Sequence, residues 1–357
     1  MSPVQGFTRY RKHQFGRQSS FGTPVAAVKA YPFQGVPSID LAWTDREVDQ
    51  GSLDPIVAPI RGASDLTASL NDPGVEYNSL PLMFAAIFGG SVDGVPEVGG
   101  TSVAWSWAPA STTVDEPDVF TYEFGDDVTD DWDQLSDGLL ESLELAGPEG
   151  LGPFTAAMSW RFGHYGSTGS TDAGETGTVP TPSLDLDTNG VILYLKDLGI
   201  YIASSTAGLS GGQVTDALQS LTLRVSGDLD QKRFANGDQS FDVDAYGRAT
   251  RLIELEAMFA KTSDTVGTGS ESDAWTSDAA VTRYVELKAE STELASTTPD
   301  VPYSMDLVMP LRYYTREDGE VGGNTAITLT GHAFYDPDDL DGVFTADVVC
   351  TLAAADL

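Results

Sequence analysis

Residues 153–163 read PFTAAMSWRFG. On an extended chain Phe154, Ala156, Met158, Trp160 and Phe162 fall on one side, and Thr155, Ser159 and Arg161 on the other. A two-residue period of this kind predicts a strand with one buried and one wet face. The rhythm returns in SLTLRVSG, through Leu221, Leu223 and Val225, and in RLIELEAMFA, where Ile253, Leu255, Ala257 and Phe259 oppose Glu254 and Glu256. It predicts further strands at 119–124, 191–197, 283–289, 303–314, 326–335 and 343–353. The fold class that follows is mainly β, with two tandem sandwich or barrel modules.

One stretch breaks the pattern. In NSLPLMFAAIFGG, residues 78–90, Asn78 or Ser79 can cap a helix, Pro81 suits its first turn, and Gly89 and Gly90 suit its end. The helix has no polar side, so a sheet or a second subunit must cover it. Residues 163–183 and 267–280 are aperiodic and rich in Gly, Ser and Thr, which reads as loop or linker. L-x-S-L-x-L occurs at Leu140 and again at Leu218, a faint sign of two related halves. The expected organisation is an N-terminal arm (1–30), a first β domain (31–165), a linker (166–188) and a second β domain (189–357).

Length and composition agree with two β domains. A chain of 357 residues exceeds the size at which a single core keeps growing. Its formal charge is −35, from 54 acidic and 19 basic residues. So acidic a surface repels itself in dilute buffer, and about 1 M salt, with a Debye length near 3 Å, screens that repulsion. The balance points to a protein adapted to high salt, and it disfavours nucleic-acid binding through the bulk surface. The basic residues are unevenly placed. Arg9, Arg11, Lys12, Arg17 and Lys29 precede the first acid, Asp40, which leaves −40 on the other 318 residues. Cys350 is the single cysteine, so no disulfide forms within the chain. No apolar run is long enough for a membrane helix, and the basic N-terminus lacks the apolar stretch of a secretory signal.

Chemistry-bearing motifs are sparse. There is no nucleophile elbow, no phosphate-binding glycine loop and no zinc-protease motif, and His13, His164 and His332 are scattered. With 54 acids, the proximity of two carboxylates carries no information about catalysis. The reading is therefore of a non-enzyme with no catalytic residues and no cofactor. Asp185, Asp187, Asn189 and Gly190 in DLDTNG match the opening of a calcium loop, but Lys196 stands where the bidentate Glu belongs. DPDDLDG, residues 336–342, offers Asp336, Asp338, Asp339 and Asp341. Both read as solvated turns in preference to cation sites. Trp105 with Trp107, and Tyr313 with Tyr314, read as core or interface residues before stacking platforms.

Taken in order, several stretches resemble the tail tube (major tail) proteins of tailed viruses of bacteria and archaea. They are FGRQSSFGTPVAAVKAYPF (15–33), the strand and helix of 61–90 ending LMFAAIFGG, and FTYEFGDD (120–127) with LLESLELAGPEGLGPFTAAMSWRFG (139–163). The strand, long loop and strand of 218–260, then MDLVMPLRYY (305–314) with AITLTGHAFYD (326–336), complete the series. The acidic loops and the lengths of 163–183 and 267–280 depart from the family pattern. The resemblance implies a structural virion protein, assembled in the host cytoplasm, whose rings stack into the tube through which the genome leaves. Its partners would be copies of itself, in a trimeric pseudo-sixfold ring or else a hexamer, and the tail tip, tape-measure and terminator or connector proteins. DNA would pass without specific binding, and no membrane is involved. The basic front end then reads as an inter-ring arm, with Arg9, Tyr10, Arg11, Lys12, Phe15, Arg17 and Phe21 docking on the adjacent acidic ring. The rival class is an acidic cell-surface or secreted β-protein that binds cations or glycans.

Overall fold

A computed structural model describes residues 11–40, 43–47, 56–61, 64–88, 91–96, 100–108, 118–126, 131–167, 184, 186, 190–214, 217–234, 243, 245–262 and 282–357. The fold is mainly β, as the alternation predicts. The first half supplies β1 (Arg11–Arg17), β2 (Lys29–Tyr31), β3 (Gln34–Asp40), β4 (Trp43–Glu47), β5 (Ile56–Arg61), β6 (Asp65–Asp72), β7 (Ser91–Pro96), β8 (Val103–Trp107), β9 (Phe120–Asp126), β10 (Asp131–Gly147), β11 (Thr155–Phe162) and β12 (His164–Ser167). One helix, α1 (Leu80–Ile87), lies between β6 and β7. The second half supplies β13 (Leu198–Ala203), β14 (Leu218–Lys232), β15 (Ala245–Ala260), β16 (Arg283–Thr297), β17 (Asp300–Val321), β18 (Asn324–Ala333) and β19 (Thr345–Cys350).

Eight strands lie side by side in the order β3-β6-β11-β10-β14-β15-β18-β17, every neighbour antiparallel. β10 and β17 are too long for one sheet. The N-terminal part of β10 pairs with β9 and β12, and β9 carries β1 and then β2. The N-terminal part of β17 likewise pairs with β16 and β19, which carry β13 on one side and β8 with β7 on the other. β4 and β5 form a separate hairpin. Among the described residues these pairings close no circuit, so the architecture is an open, sandwich-like stack and not a closed barrel.

The ladders do not part into two separate modules. β10 and β14 are neighbours in one sheet, β8 of the first half pairs with β19 of the second, and one buried cluster runs from Phe15 to Leu357. Within that single body the connectivity nevertheless repeats. Pairings β1–β9, β3–β6, β6–β11, β9–β10, β10–β11 and β10–β12 recur as β13–β16, β14–β15, β15–β18, β16–β17, β17–β18 and β17–β19. A register shift also recurs at the same place, around Glu141 in β10 and Tyr314 in β17. The L-x-S-L-x-L echo reports something else. Its two copies lie in β10 and β14, which hold different places in the repeat. They resemble each other because adjacent strands bury leucines on the same face.

Every residue of α1 is buried, so the chain itself covers this all-apolar helix. It packs against β10 and β8, and Phe88 just beyond it stacks on Phe344 of the second half at 4.6 Å. The expected side-chain cap is absent. Ser79 makes no capping bond, and Asn78 spends its amide on Thr351, accepting from the backbone N at 3.1 Å and donating to Oγ1 at 3.1 Å. A 3-10 turn over Tyr77–Ser79 leads directly into the helix instead. Gly89 and Gly90 lie outside the described residues. The strand expected at 191–197 is also corrected. Its alternation is real, with Leu193 and Leu195 buried, but Ile192 and Tyr194 make only isolated bridges to Glu76 and Pro153. That segment crosses strand ends, and the ladder begins one turn later, at β13.

On the wet face of the β16–β17–β19 sheet, Lys288, Asp306 and Asp347 stand in register, with Glu286 on the adjoining row. Burial, then the charge of Glu286, pushes the Asp306 carboxyl up to about 6, and its Oδ1 has no hydrogen-bond partner. A folded pKa above the ordinary 3.8 means that folding favours the neutral acid. That stabilisation is full below about 3.8 and is lost as pH rises through about 6. Replacing Asp306→Asn is therefore expected to raise stability at pH 8. The full shift corresponds to about 3 kcal/mol, which solvent screening at this part-open site cuts to roughly 1 kcal/mol. Urea midpoints at pH 5 and pH 8, at one fixed salt concentration, check this. A variant less stable than the parent at pH 8 refutes it.

Candidate functional site

Strand alternation gives the eight-stranded sheet two unlike faces. Leu143, Leu145, Leu223, Val225, Ile253 and Leu255 represent the inner one, all buried in the common core. The opposite face is polar. Its middle row runs Ser226–Ser142–Ser159–Ser69 across β14, β10, β11 and β6, each residue the Cα partner of the next. These short hydroxyls surround a shallow concavity of about 460 Å³, bordered also by Arg224 and Glu254.

Charge on this face is one-sided. Asp40, Asp65, Glu141, Glu144, Glu254, Glu256 and Glu317 lie on it, against Arg161, Arg224 and Arg312 among the described residues. Each arginine is engaged. Arg161 bonds Glu141 at 2.8 Å and lies 3.6 Å from Asp65. Arg224 reaches Glu144, Glu254 and Glu256 at 2.9, 3.0 and 2.9 Å. The bonds to Glu256 and Glu144 push its pKa up further still. Arg312 lies over the ring of Phe334 at 4.5 Å. Tyr314 donates its hydroxyl to Glu254 and stacks on His332 with centroids 4.2 Å apart. That hydrogen bond, then Arg224, holds the Glu254 carboxyl below its usual range, and the same bond pushes Tyr314 up to about 12. The face is thus polar and net negative, with no uncommitted guanidinium among the described residues. Such a surface repels phosphates.

The residues assigned from sequence to an inter-ring arm have other duties. Arg9 and Tyr10 lie outside the described residues. Arg11–Arg17 form β1, paired to β2 and β9 of the same chain. Phe15 is fully buried against Tyr31, Phe33, Tyr122 and Trp160, with centroids between 4.8 and 6.0 Å. Arg17 pairs with Asp118 at 3.0 Å, and Phe21 sets its edge on His164 and Tyr246. Arg11 is exposed at the start of β1, and Lys12, Arg17 and Phe21 are half-buried. The placement of β1 has a plain cause: in a strand covered on both faces, basic residues gather at its ends and aromatic ones at its centre.

A buried clamp fixes the segment that follows. Asp137 is fully buried with φ of 57°, at the point where β10 passes between sheets. Its Oδ1 accepts from Gln18 Nε2 at 3.1 Å and from the Gly22 backbone N at 2.7 Å, while Oδ2 bonds His164. Gln18 Oε1 in return accepts from the Asp137 backbone N at 2.7 Å. The sequence signal for this bend was Asp137–Gly138, turn residues interrupting an alternating run.

The cation candidates divide. Asp185, Asp187 and Asn189 lie outside the described residues. Asp336 uses its carboxylate on the backbone N–H groups of Asp338, Asp339 and Leu340 and on the Tyr284 hydroxyl. Asp336 thereby closes a turn that carries Asp338, Asp339 and Asp341. Among the described residues no group of three His, Cys, Asp or Glu could hold a metal ion. Trp105 and Trp107 are buried in the core, and the Trp105 indole N–H donates to the Leu352 carbonyl at 3.1 Å. No protein-family model and no curated protein matches the chain.

Proposed function

We propose that this chain is a structural subunit of a virus tail tube: copies close into rings around the polar sheet face, and stacked rings form a conduit for the genome. The carrying observation is the eight-stranded sheet itself, apolar on one face, net negative on the other, and ending at β3 and at β17 in edges unpaired among the described residues. Open edges of this kind invite pairing with another chain. Head-to-tail pairing of one edge with the other makes a heterologous contact, which yields a ring when the rotation closes.

The dimensions favour three chains. Three copies of an eight-stranded sheet, at about 4.8 Å per strand, give a backbone diameter of roughly 37 Å before strand tilt widens it. Side chains take about 5 Å from each wall, leaving a bore of roughly 27 Å. A B-form duplex is about 20 Å wide, a little more than its two groove depths combined. Six chains would open the bore to roughly 60 Å, far wider than a duplex needs. An acidic wall with committed arginines would let the polyanion pass without sticking.

Negative-stain electron microscopy of the purified protein, in dilute buffer and in about 2 M salt, tests the reading. Rings or tubes with a central hole are expected. Single particles under every condition would overturn it, and calcium- or glycan-binding by such a monomer would support an acidic surface protein instead.

A further inference from the structure

The repeated connectivity specifies how one copy meets the next. Beside β10, past its pairing with β9, the next strand is β14: Ser142 faces Ser226, Glu144 faces Arg224 and Ala146 faces Thr222. β17 holds the place of β10 in the second half, and β16 that of β9. Beyond Leu311, where the β16 ladder ends, the outer edge of β17 has no partner strand among the described residues. The strand equivalent to β14 is β3, which stands at the opposite end of the sheet with no strand paired to its outer edge among the described residues.

Superposing the ladders sets the register. The shared shift aligns Ser142 with Thr315, Glu144 with Glu317 and Ala146 with Gly319. The β3–β6 and β14–β15 pairings align Ser226 with Asp40, Arg224 with Ser38 and Thr222 with Val36. Resting on the ring reading above, we propose that the outer edge of β17 in one copy pairs antiparallel with β3 of a second copy. Thr315 then stands opposite Asp40, Glu317 opposite Ser38 and Gly319 opposite Val36, and three chains complete the circle.

This joint differs in chemistry from the internal one it copies. Leu143 and Leu145 of the internal joint correspond to Arg316 and Asp318, which pair with each other at 3.4 Å, while Lys261 holds Asp318 at 2.6 Å. Arg224, which binds three glutamates, corresponds to Ser38. Leu223 corresponds to Pro37, and a proline on an outer strand limits unselective pairing. The internal joint is therefore part of the fold. The external one is polar, and it releases before the chain unfolds.

Engineered cysteines test the register, since opposed Cα atoms about 5 Å apart suit a disulfide and the native Cys350 is buried. Ser38→Cys with Glu317→Cys, and Asp40→Cys with Thr315→Cys, are expected to link most chains under mild oxidation into a product that stops at three. Asp40→Cys with Gly319→Cys places the thiols four residues apart and should link at least tenfold less. Rings in micrographs with no link in the first two pairs would overturn the register while leaving the ring reading intact. A ladder running to six would overturn the three-chain closure. Absence of both rings and links would sink the ring reading and this joint with it.

Discussion

Deleting residues 2–20 is expected to leave the protein unfolded, whereas deleting residues 2–9 leaves it folded. The longer deletion removes β1, which sits between β2 and β9, and with it Phe15, His13 and Gln14, all buried. Losing the burial of one phenylalanine costs about 3–5 kcal/mol, against a total stability of roughly 5–15 kcal/mol for a typical domain. Tyr31, Phe33, Tyr122 and Trp160 would lose their common neighbour as well, and the Gln18–Asp137 clamp would go. The shorter deletion ends before any of this. In the tube reading it removes Arg9 from the basic front end, so rings form but stack into short or no tubes. Near-ultraviolet circular dichroism and thermal melting of both variants, with microscopy of the shorter, read out each part. A folded 2–20 deletion would contradict the placement of β1 in the core. Normal-length tubes from the 2–9 deletion would end the arm's stacking role.

The second large effect is expected from salt. Raising sodium chloride from about 0.1 M to about 2 M shrinks the Debye length from about 10 Å to a few ångströms, and stability should rise by several kcal/mol. Isolated surface ion pairs predict the opposite sign, because salt weakens attraction as well. The decisive feature is the imbalance. Arg224 serves three glutamates and Arg161 serves two acids, so screening removes more repulsion than attraction. Chloride is preferred to sulfate for this measurement, since sulfate strengthens burial in any protein. Denaturant midpoints on dilute, unassembled chain provide the number. A midpoint that falls or stays level with salt would rule out the high-salt adaptation.

Much of the fold was legible because alternation is a local property. Phe154 to Phe162, Leu221 to Val225 and Ile253 to Phe259 each announce a strand and its buried side without reference to anything distant. Failures came where the local rule had two solutions. Val191 to Tyr194 alternates because it is extended and half-buried, yet it joins no ladder and runs into a 3-10 turn over Leu195–Asp197. Arg11 to Arg17 read as part of a docking arm because its ends are basic, whereas Phe15 at its centre is buried in the chain's own core. Asn78 looked like a cap until its amide found Thr351, 273 residues away in sequence.

The candidate site was less legible still. Sequence marked which residues share a face of each strand, but Ser69, Ser142, Ser159 and Ser226 become one row only when four strands align. The sequence alone determined the β class, the apolar helix and the excess of acid, all consequences of local period and composition. Tertiary structure alone decided which faces join, that the strand order repeats, and that the two open edges stand at opposite ends of one sheet. Strand pairing is non-local, set by backbone hydrogen bonds that carry no side-chain signature, so no short stretch of the chain could have specified it.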